Sequence, residues 1–332
     1  MSSVFEELPS YASARHFVSD LRLSAPLWDG DDETHTGWIF RGQQRSEWPL
    51  LASIFRPFSR NNLAAIYLRN YKRSYRNVTA KEWREWVPPR TAVSASGSSR
   101  RHSRIVLQAL AHAALVRDFV LLADRAGHET IRPDFLWYLT NCRNHRDALE
   151  TYFRGDIAHD DLAAFAIAQH HGVPTALLDW TYNPLVAAFF AAEPLASAKN
   201  RTAGGSIAVW ALRTQVFRHD TRELRRFTVP PGRVPFLDAQ GGLFTWSPVA
   251  YEWVVSGRYP TVECLLSEIE IKLATGELRM PLLRKLVLDV AQIPDLLKIL
   301  WREQVTRAHL MPTYDNVTAS MRLSATWQEK AR

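Results

Sequence analysis

The feature that most constrains the fold of this chain is an apolar stretch near its middle, which predicts a strand followed directly by a helix. The sequence PTALLDW at 174–180 has the length and apolar content of a buried strand. Asn183 suits the N-cap of a helix and Pro184 suits its first position. The continuation LVAAFFAAE at 185–193 is apolar on all sides. The fold must therefore bury both elements.

Similar patterns elsewhere predict an α+β fold, with a mixed or split β-sheet core surrounded by helices. The strands are predicted at 37–42, 174–180, 206–212, 241–246 and 284–290. The helices are predicted at 60–86, 104–127, 133–142, 145–153, 160–171, 184–193 and 294–307. In the helix that follows the middle strand, Phe189 and Phe190 are both expected to be buried.

Charge is distributed unevenly and suggests how the chain is organised. Residues 41–104 carry fourteen basic and three acidic side chains, a net charge of +11. This block could bind phosphates or an acidic partner, but solvated helix faces are the favoured explanation. Its last part, 87–104, is rich in Pro, Ser and Gly and predicts an exposed loop. The expected regions are a polar, loosely packed N-terminal lead-in at 1–36, one core at 37–317 with a basic helical insertion at about 60–104, and a C-terminal tail at 318–332.

Composition excludes several classes of protein. The two cysteines, Cys142 and Cys264, lie far apart without metal-ligand spacing, which favours a reducing compartment. No run of 18 apolar residues predicts a membrane span, and the N-terminus carries acids where a signal peptide has bases. Glycine-rich phosphate loops and the common hydrolase motifs are missing from the sequence. We therefore expect a cytoplasmic protein with no membrane and no metal; its oligomeric state stays open.

Three polar positions lie in apolar surroundings and are the candidates for function. Arg41 follows a predicted strand and precedes Gly42 and Gln43. A buried arginine needs a carboxylate or phosphate partner, which its planar guanidinium can bind through two hydrogen bonds. Asp179, inside the middle strand, must also be paired, so we expect it to pair with Arg41. The third position is Gln240, a neutral amide at the start of a strand.

These positions also have a purely structural interpretation, as a polar network that fixes the strands. If they bind a ligand, all three are expected at one cleft, with Thr181 and either His170 or His171 at its edge. The two adjacent histidines point in different directions on a helix, so they predict no metal site.

At these same positions the chain resembles the FRG domain family, which is named for its Phe-Arg-Gly. The matching motifs are FRGQ at 40–43, QHHGVPTALLDWTYNPLVAAFFA at 169–191, AQGGLF at 239–244 and AHLMPTYDNV at 308–317. The resemblance spans roughly 38–317, with the basic stretch 60–104 as an insertion. It implies that the predicted core is an FRG-type core of a family found in bacteria and phages.

A second resemblance, to the ADP-ribosyltransferase fold, implies chemistry. WIFRG at 38–42 is similar to the first strand of those enzymes, which ends in an aromatic residue, Arg and Gly. LLDWTYNPLVAAFF at 177–190 is similar to their second motif, with Asp-Trp-Thr in place of a Ser-Thr-Ser run. Their third motif is a glutamate that enters a later strand. This chain has Gln240 there, and Glu268 with Glu270 is the alternative.

The resemblance implies that NAD is a substrate and that Arg41 binds its pyrophosphate through hydrogen bonds. The catalytic candidates are Arg41, Asp179 and Gln240, and the NAD-binding candidates are Arg41, Gly42, Gln43, His170 and Thr181. A glutamine at the third position can hold a ribose hydroxyl but supplies no charge to a cationic transition state, which implies weak activity or binding alone.

Three functions follow as alternatives. The first is an ADP-ribosyltransferase-like effector, a toxin or phage-defence protein, that modifies nucleic acid or protein. The second is a non-catalytic module that binds nucleic acid or protein through the basic block 60–104. The third is an NAD glycohydrolase.

Overall fold

The structure, a computed structural model, describes residues 4–28, 37–57, 62–79, 81–82, 99–128, 159–196, 204–218, 223–229, 236–272 and 281–329. In this part of the chain the fold is α+β, a seven-stranded mixed sheet with helices around it. The strands are β1 Phe5–Glu7, β2 Trp38–Gln43, β3 Leu177–Thr181, β4 Ser206–Arg213, β5 Arg225–Phe227, β6 Gly242–Trp246 and β7 Leu283–Asp289. The helices are α1 Ala14–Leu21, α2 Leu63–Ser74, α3 Ser99–Arg125, α4 His159–His170, α5 Pro184–Ala192, α6 Ala250–Val255, α7 Val262–Lys272, α8 Ile293–Arg302, α9 Arg307–Leu310 and α10 Tyr314–Glu329.

The strands lie in the order β1-β7-β4-β2-β3-β6-β5. β1 and β7 are parallel, and the other neighbours are antiparallel. β2 pairs with β4 along its whole length, but its register with β3 consists of one pair, Phe40 opposite Thr181. The sheet therefore opens between two of its inner strands.

Alternation along β4 divides its apolar side chains between two cores, one on each face of the sheet. In β4, Ile207 and Val209 face the core that α1, α5 and α8 cover. Ala208 and Trp210 face the core that α2, α3, α4, α6 and α7 cover. Because helices cover both faces, the inner strands are apolar almost without interruption, as in PTALLDW.

The N-terminal residues differ from the loosely packed lead-in that the sequence predicts. Residues 4–28 are built into the fold, since β1 forms an edge of the sheet beside β7. Phe17 and Leu21 of α1 are completely buried. Glu6 and Glu7 of β1 form ion pairs with bases on β7, at 2.7 Å to Arg284 and 3.3 Å to Lys285.

Several helix boundaries also differ. α3 begins at Ser99, so its first residues belong to a helix and not to the predicted loop 87–104. α2 ends at Ser74, earlier than predicted, with Lys72 and Arg73 in its last turn. The predicted helix 294–307 is interrupted between α8 and α9, and α10 crosses the expected start of the C-terminal tail. The predicted helices 133–142 and 145–153 lie outside the described residues.

One helix in the described part of the chain, Ser103–Arg125 within α3, is long and apolar enough to cross a membrane. A helix in the core of a soluble protein has the same properties, and 61% of its apolar window is buried inside this fold. The structure is thus consistent with the predicted cytoplasmic location, which stays a prediction.

Candidate functional site

The candidate site lies where β2 and β3 separate. Beyond the pair Phe40–Thr181, the two strands no longer share a register, and backbone groups there need other partners. Arg41, the residue after Phe40, supplies one: its Nη1 donates a hydrogen bond to the carbonyl oxygen of Asp179 at 2.7 Å. The same nitrogen forms an ion pair with Oδ1 of the Asp179 side chain at 2.7 Å. The predicted pairing of these two residues is therefore present.

The two members of this pair differ in exposure. The side chain of Arg41 is 13% exposed, whereas that of Asp179 is 61% exposed and lies in the cleft. The Nε atom of Arg41 is buried without a hydrogen-bond partner in the described residues. The guanidinium of Arg41 therefore lies mostly inside the fold, and the carboxylate of Asp179 is the member of the pair that is exposed to solvent.

A hydrogen-bonded chain holds Asp179 from the side of α4. Nε2 of Gln169 donates to Oδ1 of Asp179 at 2.9 Å. The Thr175 hydroxyl donates to Oε1 of Gln169. Ser53 Oγ in turn accepts a hydrogen bond from the Thr175 N–H at 3.0 Å. The carboxylate is therefore fixed by α4 and by the segment that leads into β3.

On the opposite side, α5 approaches β2 at Gly42. A Cβ atom at Gly42 would lie 1.9 Å from the carbonyl oxygen of Ala187, so this position accepts only a glycine unless the helix moves. Asn183 caps α5 as predicted, with its side chain accepting a hydrogen bond from the Leu185 N–H at 2.9 Å. The close approach places Phe190 of α5 at the wall of the cleft.

The turn before β6 forms another wall. The Thr181 hydroxyl donates to the carbonyl oxygen of Gln240 at 2.6 Å, and the Tyr182 N–H donates to that of Gly241 at 3.0 Å. Nε2 of Gln240 donates to the carbonyl oxygen of Leu310 at 3.3 Å. Gln240 thus joins the turn to α9, and its amide is directed toward the C-terminal segment.

The resulting cleft has a volume of about 300 Å³ and is open to solvent. Its polar lining consists of Arg41, Gln169, His170, Asp179, Thr181 and Gln240. Its apolar lining includes Phe40, Trp180, Phe190, Leu237, Phe244 and Met311. A mostly apolar wall with a few convergent polar groups is typical of small-molecule sites, and the volume is near their lower limit.

Two cations act on the carboxylate in the cleft. Desolvation raises the pKa of Asp179, but the charge and hydrogen bond of Arg41, together with the charge of Arg56, hold that pKa below its ordinary value. Desolvation, with the Arg41 charge, also lowers the pKa of Arg56. Burial and the neighbouring His171 lower the pKa of His170, which favours its neutral form. Arg56 itself does not line the cleft, and its Nε donates to the Leu51 carbonyl oxygen at 3.0 Å.

The predicted site residues do not all meet in this cleft. The structure brings together Arg41, Gly42, His170, Asp179, Thr181 and Gln240. Gln43 is 4% exposed and structural: its Nε2 donates to the Pro49 carbonyl oxygen at 3.2 Å, and its Oε1 accepts from Trp210 Nε1 at 2.9 Å. Both ends of its amide are used in the core and Gln43 does not line the cleft, whereas its role in binding a cofactor stays a prediction.

The alternative acidic motif lies away from the cleft. Glu268 and Glu270 lie on the helix α7 and do not enter a strand. Glu268 pairs with Arg258 at 2.5 Å, and neither glutamate lines the cleft. The apolar spacing of this segment fits a helix packed on the sheet, which explains the difference.

Sequence reasoning missed two residues of the site. Gln169 lies in the FRG-like stretch 169–191, and the spacing of Ala166, Gln169 and His170 on one helix face is the signal that points to it, since all three line the cleft. Phe190 was expected to be buried but is 36% exposed, whereas Phe189 is 2% exposed. No group of three His, Cys, Asp or Glu side chains suited to a metal was found within the described residues.

Comparison with known families places part of this site in a recognised domain. The family model of the FRG domain matches residues 126–200. The match contains Gln169, Asp179 and Phe190 but neither Arg41 nor Gln240, and it is shorter than the expected span of 38–317. It supports the FRG family for this chain. No curated protein and no solved structure gives a significant match to this chain.

Proposed function

We propose that the cleft binds NAD and that the protein is an ADP-ribosyltransferase-like effector, with Asp179 as its reactive carboxylate. The observation that carries this proposal is the Arg41–Asp179 pair at the open seam between β2 and β3, joined at 2.7 Å and exposed to the cleft on the Asp179 side. The ADP-ribosyltransferase interpretation draws on the resemblance of the Phe-Arg-Gly strand β2 and of the strand-helix unit β3–α5 to the motifs of those enzymes.

An arginine in the wall of the cleft supports an anionic ligand. Arg41 lines the cleft and pairs with Asp179 at 2.7 Å. Its guanidinium suits a phosphate or pyrophosphate. The exposed ring of Phe190 offers an aromatic surface for a base or a nicotinamide ring. A volume of about 300 Å³ suits a nucleoside-sized part of a dinucleotide, with the remainder at the open mouth.

The chemistry requires a negative charge near the bond that breaks. Cleavage of the bond between nicotinamide and ribose develops positive charge on the ribose, which a fixed carboxylate stabilises. Gln240 cannot supply that charge, and neither Glu268 nor Glu270 lines the cleft. Asp179 does line the cleft, and its depressed pKa keeps it ionised at neutral pH.

The acceptor of ADP-ribose is proposed to be nucleic acid or protein. The exposed Lys72, Arg73 and Arg76 at the end of α2 belong to the basic block 60–104 and offer a surface for such a partner. This surface also supports the alternative of a non-catalytic binding module. If water is the acceptor, the protein is an NAD glycohydrolase.

Melting temperatures with and without NAD test the proposal on the wild type and on Arg41→Lys. Any ligand that binds only the folded state raises the melting temperature, so we expect a rise at millimolar NAD in the wild type. Arg41→Lys loses the planar guanidinium and should abolish that rise. Its own stability should fall by only about 1 kcal/mol, because the ion pair is largely solvated on the Asp179 side.

Arg22→Lys is the matched control, since Arg22 pairs with Glu303 on an exposed surface away from the cleft. A wild-type melting temperature unaffected by NAD would reject the proposal. A stability loss of about 3–5 kcal/mol in Arg41→Lys, with the NAD response intact, would assign Arg41 to a structural pair. Labelled NAD incubated with RNA, DNA and protein then distinguishes transfer to an acceptor from release of free ADP-ribose.

A further inference from the structure

We infer that Gln169 is a positioning residue: it holds one oxygen of the Asp179 carboxylate so that the other is presented to a hydrogen-bond donor on the ligand. The inference rests on the proposed function for its choice of ligand, but its geometric basis is independent of NAD. It assigns a role to a residue of α4 for which the motifs gave none.

Both side-chain bonds to the carboxylate fall on the same atom. Oδ1 of Asp179 accepts from Nη1 of Arg41 at 2.7 Å and from Nε2 of Gln169 at 2.9 Å. The side chain is nevertheless 61% exposed. Within the described residues both side-chain donors reach Oδ1, so Oδ2 is the oxygen that we assign to a molecule in the cleft.

The groups at its two ends fix which way the Gln169 amide points. An ionised carboxylate only accepts hydrogen bonds, so the amide nitrogen faces Asp179. The Thr175 hydroxyl, which accepts from the Leu177 N–H at 3.1 Å, still has its hydrogen to donate and donates it to Oε1 of Gln169. Both ends of the amide are thus paired.

This arrangement defines the class of ligand. The guanidinium of Arg41 suits an anion, and Oδ2 of Asp179 suits a hydroxyl or another donor close to it. A molecule that carries both a phosphate and hydroxyl groups, such as a nucleotide, satisfies both requirements. Inorganic phosphate at neutral pH satisfies mainly the first.

A double-mutant cycle with NAD binding as its readout tests the inference. By titration calorimetry, Gln169→Met should weaken NAD binding roughly tenfold, the loss expected for a hydrogen bond to a charged group. In the Asp179→Asn background the same change should have almost no further effect, because Gln169 acts through the carboxylate. A role in folding alone would weaken binding in both backgrounds.

A spectroscopic readout separates this inference from the proposed function. The ¹³C resonance of the Asp179 carboxyl, followed by NMR against pH without NAD, should show a higher pKa in Gln169→Met, because a hydrogen bond to the charged form is lost. The facing groups Arg41, Arg56 and His170 are unchanged in this variant. If NAD does not bind the wild type, the proposed function fails, and this titration still decides whether Gln169 holds the carboxylate.

Two further variants serve as rescue and control. Thr175→Val removes the hydroxyl that orients the amide and should weaken NAD binding, whereas Thr175→Ser keeps that hydroxyl and should retain it. Gln292→Met is the matched control, because Gln292 accepts from the Ala14 N–H at 3.2 Å, away from the cleft. An unchanged carboxyl pKa in Gln169→Met, or equal losses of NAD affinity in both Asp179 backgrounds, would overturn the inference.

Discussion

Gly42 shows how one residue sets the shape of the cleft. Its missing side chain lets the backbone of α5 lie directly on β2. A Cβ there would lie 1.9 Å from the Ala187 carbonyl oxygen and 2.9 Å from the Ala191 nitrogen. Both of these are backbone atoms of a helix, so they cannot move aside as a flexible side chain would. The glycine of the Phe-Arg-Gly motif therefore has a packing role that is independent of any ligand.

We expect Gly42→Ala to destabilise the protein by about 1–3 kcal/mol or more, the usual cost of overpacking. Chemical denaturation measures this change. Gly37→Ala is the matched control, because a Cβ at Gly37 would meet no atom within 4 Å, and its effect should stay within about 0.5 kcal/mol. Equal stability of the two variants would show that α5 can shift away from β2 at little cost.

At the scale of the element, α5 has two different aromatic faces. Phe189 is 2% exposed in the core on one side of the sheet, and Phe190 is 36% exposed in the wall of the cleft. A helix that is apolar all round does not reveal this difference, since its sequence offers no polar face. We therefore expect Phe189 to contribute to stability and the adjacent Phe190 to contribute to ligand binding.

Phe189→Ala should lower the free energy of unfolding by about 3–5 kcal/mol, because it leaves a cavity in a packed core. Phe190→Ala should cost less stability, since its ring is already partly in water, but it should weaken NAD binding more. Denaturation curves and calorimetric titrations on the two variants measure both effects. A larger stability loss in Phe190→Ala than in Phe189→Ala would contradict this assignment.

For the molecule as a whole, a buried histidine joins helices on one face of the sheet. Nδ1 of His112 on α3 lies 2.9 Å from the hydroxyl of Tyr251 on α6. Desolvation lowers the pKa of His112 to about 3. Between this value and the ordinary pKa of 6.5, the unfolded chain binds a proton that the folded one does not. Stability must therefore fall as the pH is lowered through this range.

Because of this histidine, we expect the free energy of unfolding to fall by up to about 1.4 kcal/mol for each pH unit as the pH is lowered from 6 to 4. His112→Gln keeps a polar group beside Tyr251 but cannot titrate, so its stability should depend less on pH in this range. Denaturation at several pH values on both proteins measures the difference in slope. His16→Gln, at an exposed position, is the control and should leave the slope nearly unchanged. Parallel curves for wild type and His112→Gln would show that His112 is protonated in the folded state.

The sequence by itself determined the buried strand-helix unit and the need to pair Arg41 with Asp179. Both follow from local chemistry, because a continuous apolar run must be covered and a charge in apolar surroundings needs a partner. The N-cap at Asn183 and the end of α4 before Gly172 were predictable for the same reason, since caps are set by neighbouring residues.

Only the tertiary structure decided where the strands separate, and with that which side chains reach the cleft. The single register pair between β2 and β3 turns Arg41 and Asp179 toward the opening, while Gln43 stays in the core two residues further along β2. Gln169 and Phe190 became site residues because α4 and α5 pack on opposite faces of this seam. Register and helix approach depend on contacts between distant parts of the chain, which the local periodicity of a sequence does not encode.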